Sequence, residues 1–250
     1  MLHRLTRPLA GVAAAAGIAA VASGLVASSP PQRAHAKAAS SAKPGAMVAF
    51  GSSQFGQLGL GQLEATEATP QPSEYLARVD VARVYAGGDS SAALTADGTL
   101  FTFGAGGNSR LGHGGDAVDA TPHVAMPQRV TGLGPAAGVA VAACAVGEYH
   151  MAALTAAGEG GEAGGHVYTW GKARAPQLGH ANEKRGSPNR VAGLGPHPAV
   201  AVACGRQQTA AVTADGALYT WGIGYEGSLG HGSKVNEAFC FATGGVLLTD

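Results

Sequence analysis

One pattern recurs four times between residues 47 and 250: an aromatic residue and a glycine, six residues, then a leucine and a glycine. It reads Phe50-Gly51 with Leu58-Gly59, Phe103-Gly104 with Leu111-Gly112, Trp170-Gly171 with Leu178-Gly179, and Trp221-Gly222 with Leu229-Gly230. The two glycines stand eight apart in every unit, and successive units begin 53, 67 and 51 residues apart. A fixed period of this size is the mark of stacked supersecondary units, none of which can bury its apolar face alone.

A second pattern precedes the first. A glycine is followed seven residues later by Leu or Val and then Thr, at Gly87 to Leu94-Thr95, Gly147 to Leu154-Thr155 and Gly205 to Val212-Thr213. In two units the threonine runs through a turn into another strand, at Asp97-Gly98 and Asp215-Gly216. Asp-Gly is a hairpin signal because the turn needs positive φ, which glycine adopts without a Cβ clash. In the third unit the turn is lengthened, over Ala157 to His166, which accounts for most of the 67-residue spacing.

Thr99–Phe103, Val167–Trp170 and Ala217–Trp221 collect strand-forming residues. The pairs Ala92-Ala93, Ala152-Ala153 and Ala210-Ala211 put small side chains on the preceding strand, where sheets can approach closely. Pro70, Pro72, Pro122, Pro127 and Pro188 fall between units, where no ladder N–H is required. The expected fold is all-β: four-stranded meanders set around an axis as a β-propeller of about 3.5–4 blades.

Composition removes other classes. With 46% hydrophobic and 13% charged residues the chain is too apolar for wholesale disorder, and its 40 glycines lack the three-residue period of collagen. The net charge is zero, which gives no global attraction to nucleic acid. That zero is unevenly spread: Arg4, Arg7, Arg33, Lys37 and Lys43 precede the first acid, Glu64. Residues 1–46 are therefore set apart as a targeting segment and 47–250 as the repeat domain. An acid-free start bearing Arg and Ser suits a mitochondrial transit peptide. A basic start, an apolar run and Ala34-His35-Ala36 suit a secretory signal. The uncharged run Leu9–Ala27 is long enough for a transmembrane anchor, though rich in Ala and Gly. Cys144, Cys204 and Cys240 are odd in number and widely spaced, which predicts reduced thiols.

The repeats resemble the regulator of chromosome condensation family. Val202 to Gly232, VACGRQQTAAVTADGALYTWGIGYEGSLGHG, follows that family's repeat through its whole length. FGSSQFGQLGLG, Phe50 to Gly61, matches its second half, and GEYHMAALT, Gly147 to Thr155, matches its first. The resemblance covers residues 47–232 and implies a propeller of the seven-bladed type with about 50 residues per blade. Four units, the first of them half a blade, imply an incomplete ring or open arc. In the alternative, tail strands within 239–249 clasp the amino-terminal half-blade and close a small ring.

Several motifs invite a chemical reading. Gly222-Ile223-Gly224-Tyr225-Glu226-Gly227 fits the glycine spacing of a dinucleotide loop, yet the repeat's own turn follows it where that site needs a helix. His113, His180 and His231 share one repeat position, so they belong to different blades and cannot share an ion. His150, at the family's blade-histidine position, is expected to make a hydrogen bond inside its own blade, and Trp170 and Trp221 to pack. Lys172, Arg174, Lys184, Arg185 and Arg190 form a basic stretch in the third unit without interleaved aromatics, an unconvincing nucleic-acid surface. No nucleophile and base share a motif, so no catalytic, cofactor or metal residue is assigned.

These readings describe a non-catalytic scaffold that binds protein partners through loops on a rigid frame, with mitochondrial assembly or regulation as the leading role. The resemblance also implies a second role, guanine-nucleotide exchange on a small GTPase. The family's exchange member uses a β-wedge inserted in a blade, whereas the clear insertion here is the short Gly160 to Gly165. A secreted inhibitor-like propeller is a third.

Overall fold

In the computed structural model the described residues are 14–15, 18–19, 47–114, 122–156, 165–172, 176–180 and 186–242, with backbone alone for 14–15, 18–19 and 237–242. Every named strand pairs antiparallel. Strands β1 (Ala14–Ala15) and β2 (Ile18–Ala19) make a two-residue hairpin, and β2 lies beside β3 (Val48–Ser53). That hairpin falls within Leu9–Ala27. The rest of the run lies outside the described residues, as do the Gly160–Gly164 part of the insertion and Arg174, Lys184 and Arg185. Among the described residues no helix is long and apolar enough to cross a membrane.

The repeats form one half-blade and three blades. Among the described residues strand β3 pairs only with β4 (Ala65–Pro72). The first blade is β5 (Val81–Gly87), β6 (Ser90–Thr95), β7 (Leu100–Gly104) and β8 (Val124–Arg129). The second is β9 (Val141–Val146), β10 (His150–Thr155), β11 (Val167–Gly171) and β12 (Asn189–Arg190). The third is β13 (Ala199–Cys204), β14 (Gln208–Thr213), β15 (Leu218–Gly222) and β16 (Glu237–Ala242). In each blade the strands pair in chain order, and the opening strands β5, β9 and β13 adjoin from blade to blade.

The predicted hairpin turns form as the sequence requires. Gly98 and Gly216 adopt φ of +86° and +84°. The Thr95 hydroxyl donates to the Asp97 carboxylate, and Thr213 donates to Asp215 in the same way. The Asp97 carboxylate also accepts the Thr99 N–H at 3.1 Å. These bonds, the threonine hydroxyl foremost, hold both carboxyls below their ordinary pKa.

The core lies between blades rather than within them. Leu58, Leu76, Val81, Ala93 and Phe103 fill the junction of half-blade and first blade. Leu100, Leu111, Val141, Met151 and Trp170 fill the next, and Leu154, Val167, Val191, Ala211 and Trp221 the last. At each junction the aromatic of one unit rests on the Leu-Gly glycine of the unit before. A Cβ on Gly59 would stand 2.8 Å from the Phe103 ring, on Gly112 2.6 Å from Trp170, and on Gly179 2.7 Å from Trp221. All three glycines have positive φ, between 66° and 74°.

Two features bear on closure. Strands β6 and β10 are buried along their whole length, because a blade covers each face. Strand β14 alternates: Thr209, Ala211 and Thr213 are buried against the second blade, while Gln208, Ala210 and Val212 are partly open. The glycine seat of the last unit, Gly230, is exposed where Gly59, Gly112 and Gly179 are buried. Of the tail strands in the ring-closing alternative, 243–249 lie outside the described residues. Strand β16 pairs with β15, Gly222 opposite Glu237 and Tyr219 opposite Ala242, and completes the third blade. The fold is a partial propeller.

Gly112→Ala should combine left-handed backbone strain with overlap on Trp170, destabilising by about 2–4 kcal/mol. Gly132 has similar φ, +75°, and a methyl group added there would meet nothing within 4 Å, so Gly132→Ala should cost about 1–2 kcal/mol from backbone strain alone. Chemical denaturation of both variants decides the matter. Equal costs would show that the ring does not depend on a bare glycine.

Candidate functional site

The aromatic-Gly and Leu-Gly residues quoted from the sequence lie in or at the ends of the blade strands and at the junctions. The aromatic-Gly glycines seal each blade's own end: a Cβ on Gly104 would meet Asp89 O at 2.5 Å, on Gly171 the Tyr149 O at 2.7 Å, and on Gly222 the Gln207 O at 2.4 Å. Gly51 shares their positive φ, 106°. The leucines Leu58, Leu111, Leu178 and Leu229 are buried. In three units the threonine before the aromatic donates to the leucine carbonyl, Thr102 to Leu111 at 2.6 Å, Thr169 to Leu178 at 2.5 Å and Thr220 to Leu229 at 2.6 Å. The same threonines hold the repeat histidines: His113 Nε2 lies 2.8 Å from the Thr102 hydroxyl, His231 Nε2 2.7 Å from that of Thr220, and His180 Nε2 3.3 Å from Thr169 O. They sit in three blades as turn anchors. Burial pushes the pKa of His113 and His180 down.

Trp170 and Trp221 pack as expected, both fully buried, and Trp170 Nε1 donates to Arg110 O at 3.0 Å. His150 departs from expectation: its bond crosses to the next blade. Its Nε2 lies 2.8 Å from the Thr209 hydroxyl, which donates its proton to Gln177 O at 2.7 Å. Thr209 must therefore accept from His150, which places the ring proton on Nε2. Nδ1 is buried without a partner, and burial holds the ring's pKa at about 4. The Gly222–Gly227 segment ends in a single 3-10 turn, Tyr225–Gly227, and the Gly224 N–H donates to Asn236 Oδ1 at 3.0 Å. That turn offers no helix to face a pyrophosphate. Cys144 and Cys204 are free thiols; burial pushes Cys144 up to about 12 and raises Cys204 as well. Neither is a nucleophile at neutral pH.

What varies between units lies on one rim. In the three blades the aromatic-Gly is followed by a residue whose N–H donates to the preceding hairpin: Ala105 to Asp89 O at 2.8 Å, Lys172 to Tyr149 O at 2.9 Å, Ile223 to Gln207 O at 2.9 Å. Those hairpins also touch across blades. A Cβ on Gly87 would overlap Val146 O at 2.0 Å, and one on Gly147 would lie 2.5 Å from Gly205 O. The three blades thus present a continuous edge of fixed backbone with free choice of side chain.

On that edge three cations converge on one ring. The Arg110 Cζ lies 5.5 Å from the Tyr149 centroid, Lys172 Nζ 4.5 Å and Arg206 Cζ 5.9 Å. They come from the first, second and third blades. Arg110 is buried; its Nη1 donates to Glu148 O at 2.6 Å and its Nε to Gly107 O at 2.8 Å, tying the first blade to the second. Burial lowers its pKa, against the opposing pull of Asp89, Tyr149 and Glu148. Arg206 Nε lies 2.8 Å from Glu148 Oε2, its side chain 68% exposed. Hydrogen bonding to Tyr149, then the Glu148 carboxylate, raises its pKa. Each cation–π contact is worth about 0.5–1 kcal/mol at an exposed site.

The sequence did not reveal this cluster. Lys172 stands out there beside Arg174, Lys184, Arg185 and Arg190, but Arg190 lies on β12, opposite Tyr168. The usable signal was repeat position: Glu148 and Arg206 each follow the hairpin glycine, Tyr149 comes one residue later, and Arg110 precedes Leu-Gly.

A frame of glycine-punctuated four-stranded sheets with a variable loop rim defines a repeat β-propeller, here a partial one. The family profile described as the regulator of chromosome condensation (RCC1) repeat matches residues 45–94, 97–154 and 164–212, and a second profile of the same repeat matches 199–228. The chain belongs to this family. It is 34% identical over 195 residues to the human E3 ubiquitin-protein ligase HERC2, covering 76% of this chain and 4% of that protein. It is 31% identical over 194 residues to the Arabidopsis thaliana ultraviolet-B receptor UVR8, covering 77% of this chain and 40% of the receptor. The crystal structure of human WBSCR16 superposes with a TM-score of 0.65 at 26% identity, over 80% of this chain and 48% of that one. The chain spans less than half the length of each.

The neutral, buried His150 makes stability depend on pH. Its ring binds a proton near pH 4 when folded and at the ordinary 6.5 when unfolded. The unfolded chain therefore takes up the proton first as pH falls. Stability is full above pH 6.5 and declines between 6.5 and 4, by on the order of 3 kcal/mol in total. His150→Gln should flatten this part of the profile in thermal melts at pH 7.5, 6 and 4.5. A variant that loses stability with pH as steeply as the parent would place the titrating group elsewhere.

Proposed function

We propose that this protein is a non-catalytic interaction scaffold whose partner docks on the rim carrying Arg110, Glu148, Tyr149, Lys172 and Arg206. One observation carries the reading: hairpins of three successive blades meet along one edge, fixed by main-chain hydrogen bonds, while their side chains differ from unit to unit. Such an edge is rigid in backbone and free in chemistry, the arrangement loop-based recognition uses. The residues on it bind and orient; none is paired as nucleophile and base.

The cellular role we propose is assembly or regulation of a complex in mitochondria. The acid-free start with Arg4, Arg7, Arg33, Lys37 and Lys43 supports this address. Imaging a reporter fused to residues 1–46 against a mitochondrial marker should give overlap; labelling of the secretory route would redirect the partner search outside the cell.

Docking itself is tested by a photo-crosslinking amino acid at Gln207, on the rim, and at Ala214, exposed in the turn at the opposite end of the same blade. A discrete adduct from Gln207 and none from Ala214 is expected in cells. Adducts from Ala214 alone would move the docking surface to the other end of the propeller.

A further inference from the structure

The cluster at Tyr149 is more specific than a rim in general. Three cations from three blades lie within 6 Å of one ring centroid, against two nearby carboxylates, Glu148 and Asp89. Arg110 is engaged as a bridge between blades through two main-chain carbonyls. Arg206 reaches the second blade through side chains alone, Glu148 and Tyr149, and Lys172 bridges to no other blade through a main-chain carbonyl. Among the described residues Lys172 pairs with no carboxylate, and Arg206 has one, Glu148, in a pair open to solvent. An exposed pair of this kind is worth at most about 1 kcal/mol, so an incoming carboxylate can displace it.

We propose that this cluster is the docking site for an acidic segment of a partner protein, whose carboxylates bind Lys172 and the Arg206 guanidinium beside the Tyr149 ring. The inference rests on the rim reading above and names the chemistry of the partner. Arg206 offers a planar fork suited to bidentate carboxylate binding, Lys172 a mobile point charge, and Tyr149 a hydroxyl and an apolar face between them. Glu148 is then a built-in competitor, holding Arg206 extended until a stronger acidic ligand arrives.

The geometry favours a peptide over a nucleic acid. Single-stranded nucleic acid is held by cations that track a backbone and by several aromatic faces open for stacking. Here the cations converge on one point and one aromatic serves all three, a pattern that suits a few clustered carboxylates rather than an extended phosphate backbone.

Fluorescence anisotropy with the full chain tests the assignment. One probe is a labelled ten-residue peptide of alternating Asp and Gly; the other is a labelled ten-nucleotide oligothymidine. Binding of the peptide is expected, weakening as salt rises. Reversing both charges, Lys172→Glu with Arg206→Glu, should weaken it by about tenfold or more, since like charges then face the ligand. Arg78→Glu, on an exposed turn ahead of β5, should leave it unchanged. Glu148→Gln removes the competitor and should tighten binding by about threefold, a gain that a purely structural cluster would not produce. No peptide binding, or binding indifferent to Lys172, Arg206 and Glu148, would overturn the proposal while leaving a rim adduct from Gln207 possible. Stronger binding of oligothymidine through the same residues would replace it with a nucleic-acid site.

Discussion

An aromatic ring on a bare glycine is the contact from which the rest of this molecule follows. Phe103, Trp170 and Trp221 are each essentially inaccessible to solvent, and each lies on a glycine that ends the preceding unit. Burying a ring of this size contributes several kcal/mol, by far the largest single apolar term at a junction. It is available only if two sheets come within a ring's thickness, which a Cβ at Gly59, Gly112 or Gly179 would prevent. The two halves of the repeat are thus not parts of one blade's core. The aromatic of one unit needs the Leu-Gly of its predecessor, and so the pattern propagates along the chain as contacts between nearest neighbours.

The hydrogen bonds at the junctions obey the same logic. The residue before Leu-Gly offers its carbonyl to the next blade at every junction. Ser91 donates to Gln57 O at 2.8 Å, beside Phe103, whose ring has no N–H to give. At the second junction Met151 replaces the hydroxyl, and Trp170 Nε1 donates to Arg110 O instead. At the third, Thr209 donates to Gln177 O, and Trp221 Nε1 is left buried without a partner. A donor stranded in this way costs about 1–3 kcal/mol. The third junction carries that cost and gains the relay from His150 through Thr209 to Gln177, which ties β10 to the following blade.

The frame was legible because its determinants are periodic. Glycines needed for bare contact, rings that fill the junctions and Asp-Gly turns recur at fixed offsets, and each offset marks one place in a blade. The half-blade and the three blades follow from counting them. What was not legible depends on contact between units. His150 reads as a residue of its own blade until Thr209 is placed opposite it. Arg110, Tyr149 and Arg206 are separated by dozens of residues, and no spacing along the chain announces that they share a ring. The basic stretch after Trp170 is conspicuous because its residues are near in sequence, yet of its two described members Lys172 meets Tyr149 on the rim while Arg190 lies on β12. The described start of the tail follows local connection: β16 pairs with β15, the strand that precedes it in the chain.

This division of labour explains why the rim can carry charge that the frame could not. Within a junction an unpaired cation would lose its hydration with nothing to replace it. At the rim the main chain is satisfied by bonds such as Lys172 N–H to Tyr149 O, leaving the side chains in contact with water. Among the described Lys and Arg residues only Arg110 enters the interior, and it does so with its guanidinium bonded to two carbonyls. The Tyr149 cluster draws on all three blades, so its geometry is held by two junctions at once. Any slackening of Trp170 on Gly112 or Trp221 on Gly179 would pull Arg110 or Arg206 away from the ring. The apolar seats inside the propeller thereby set the distances between charges on its surface.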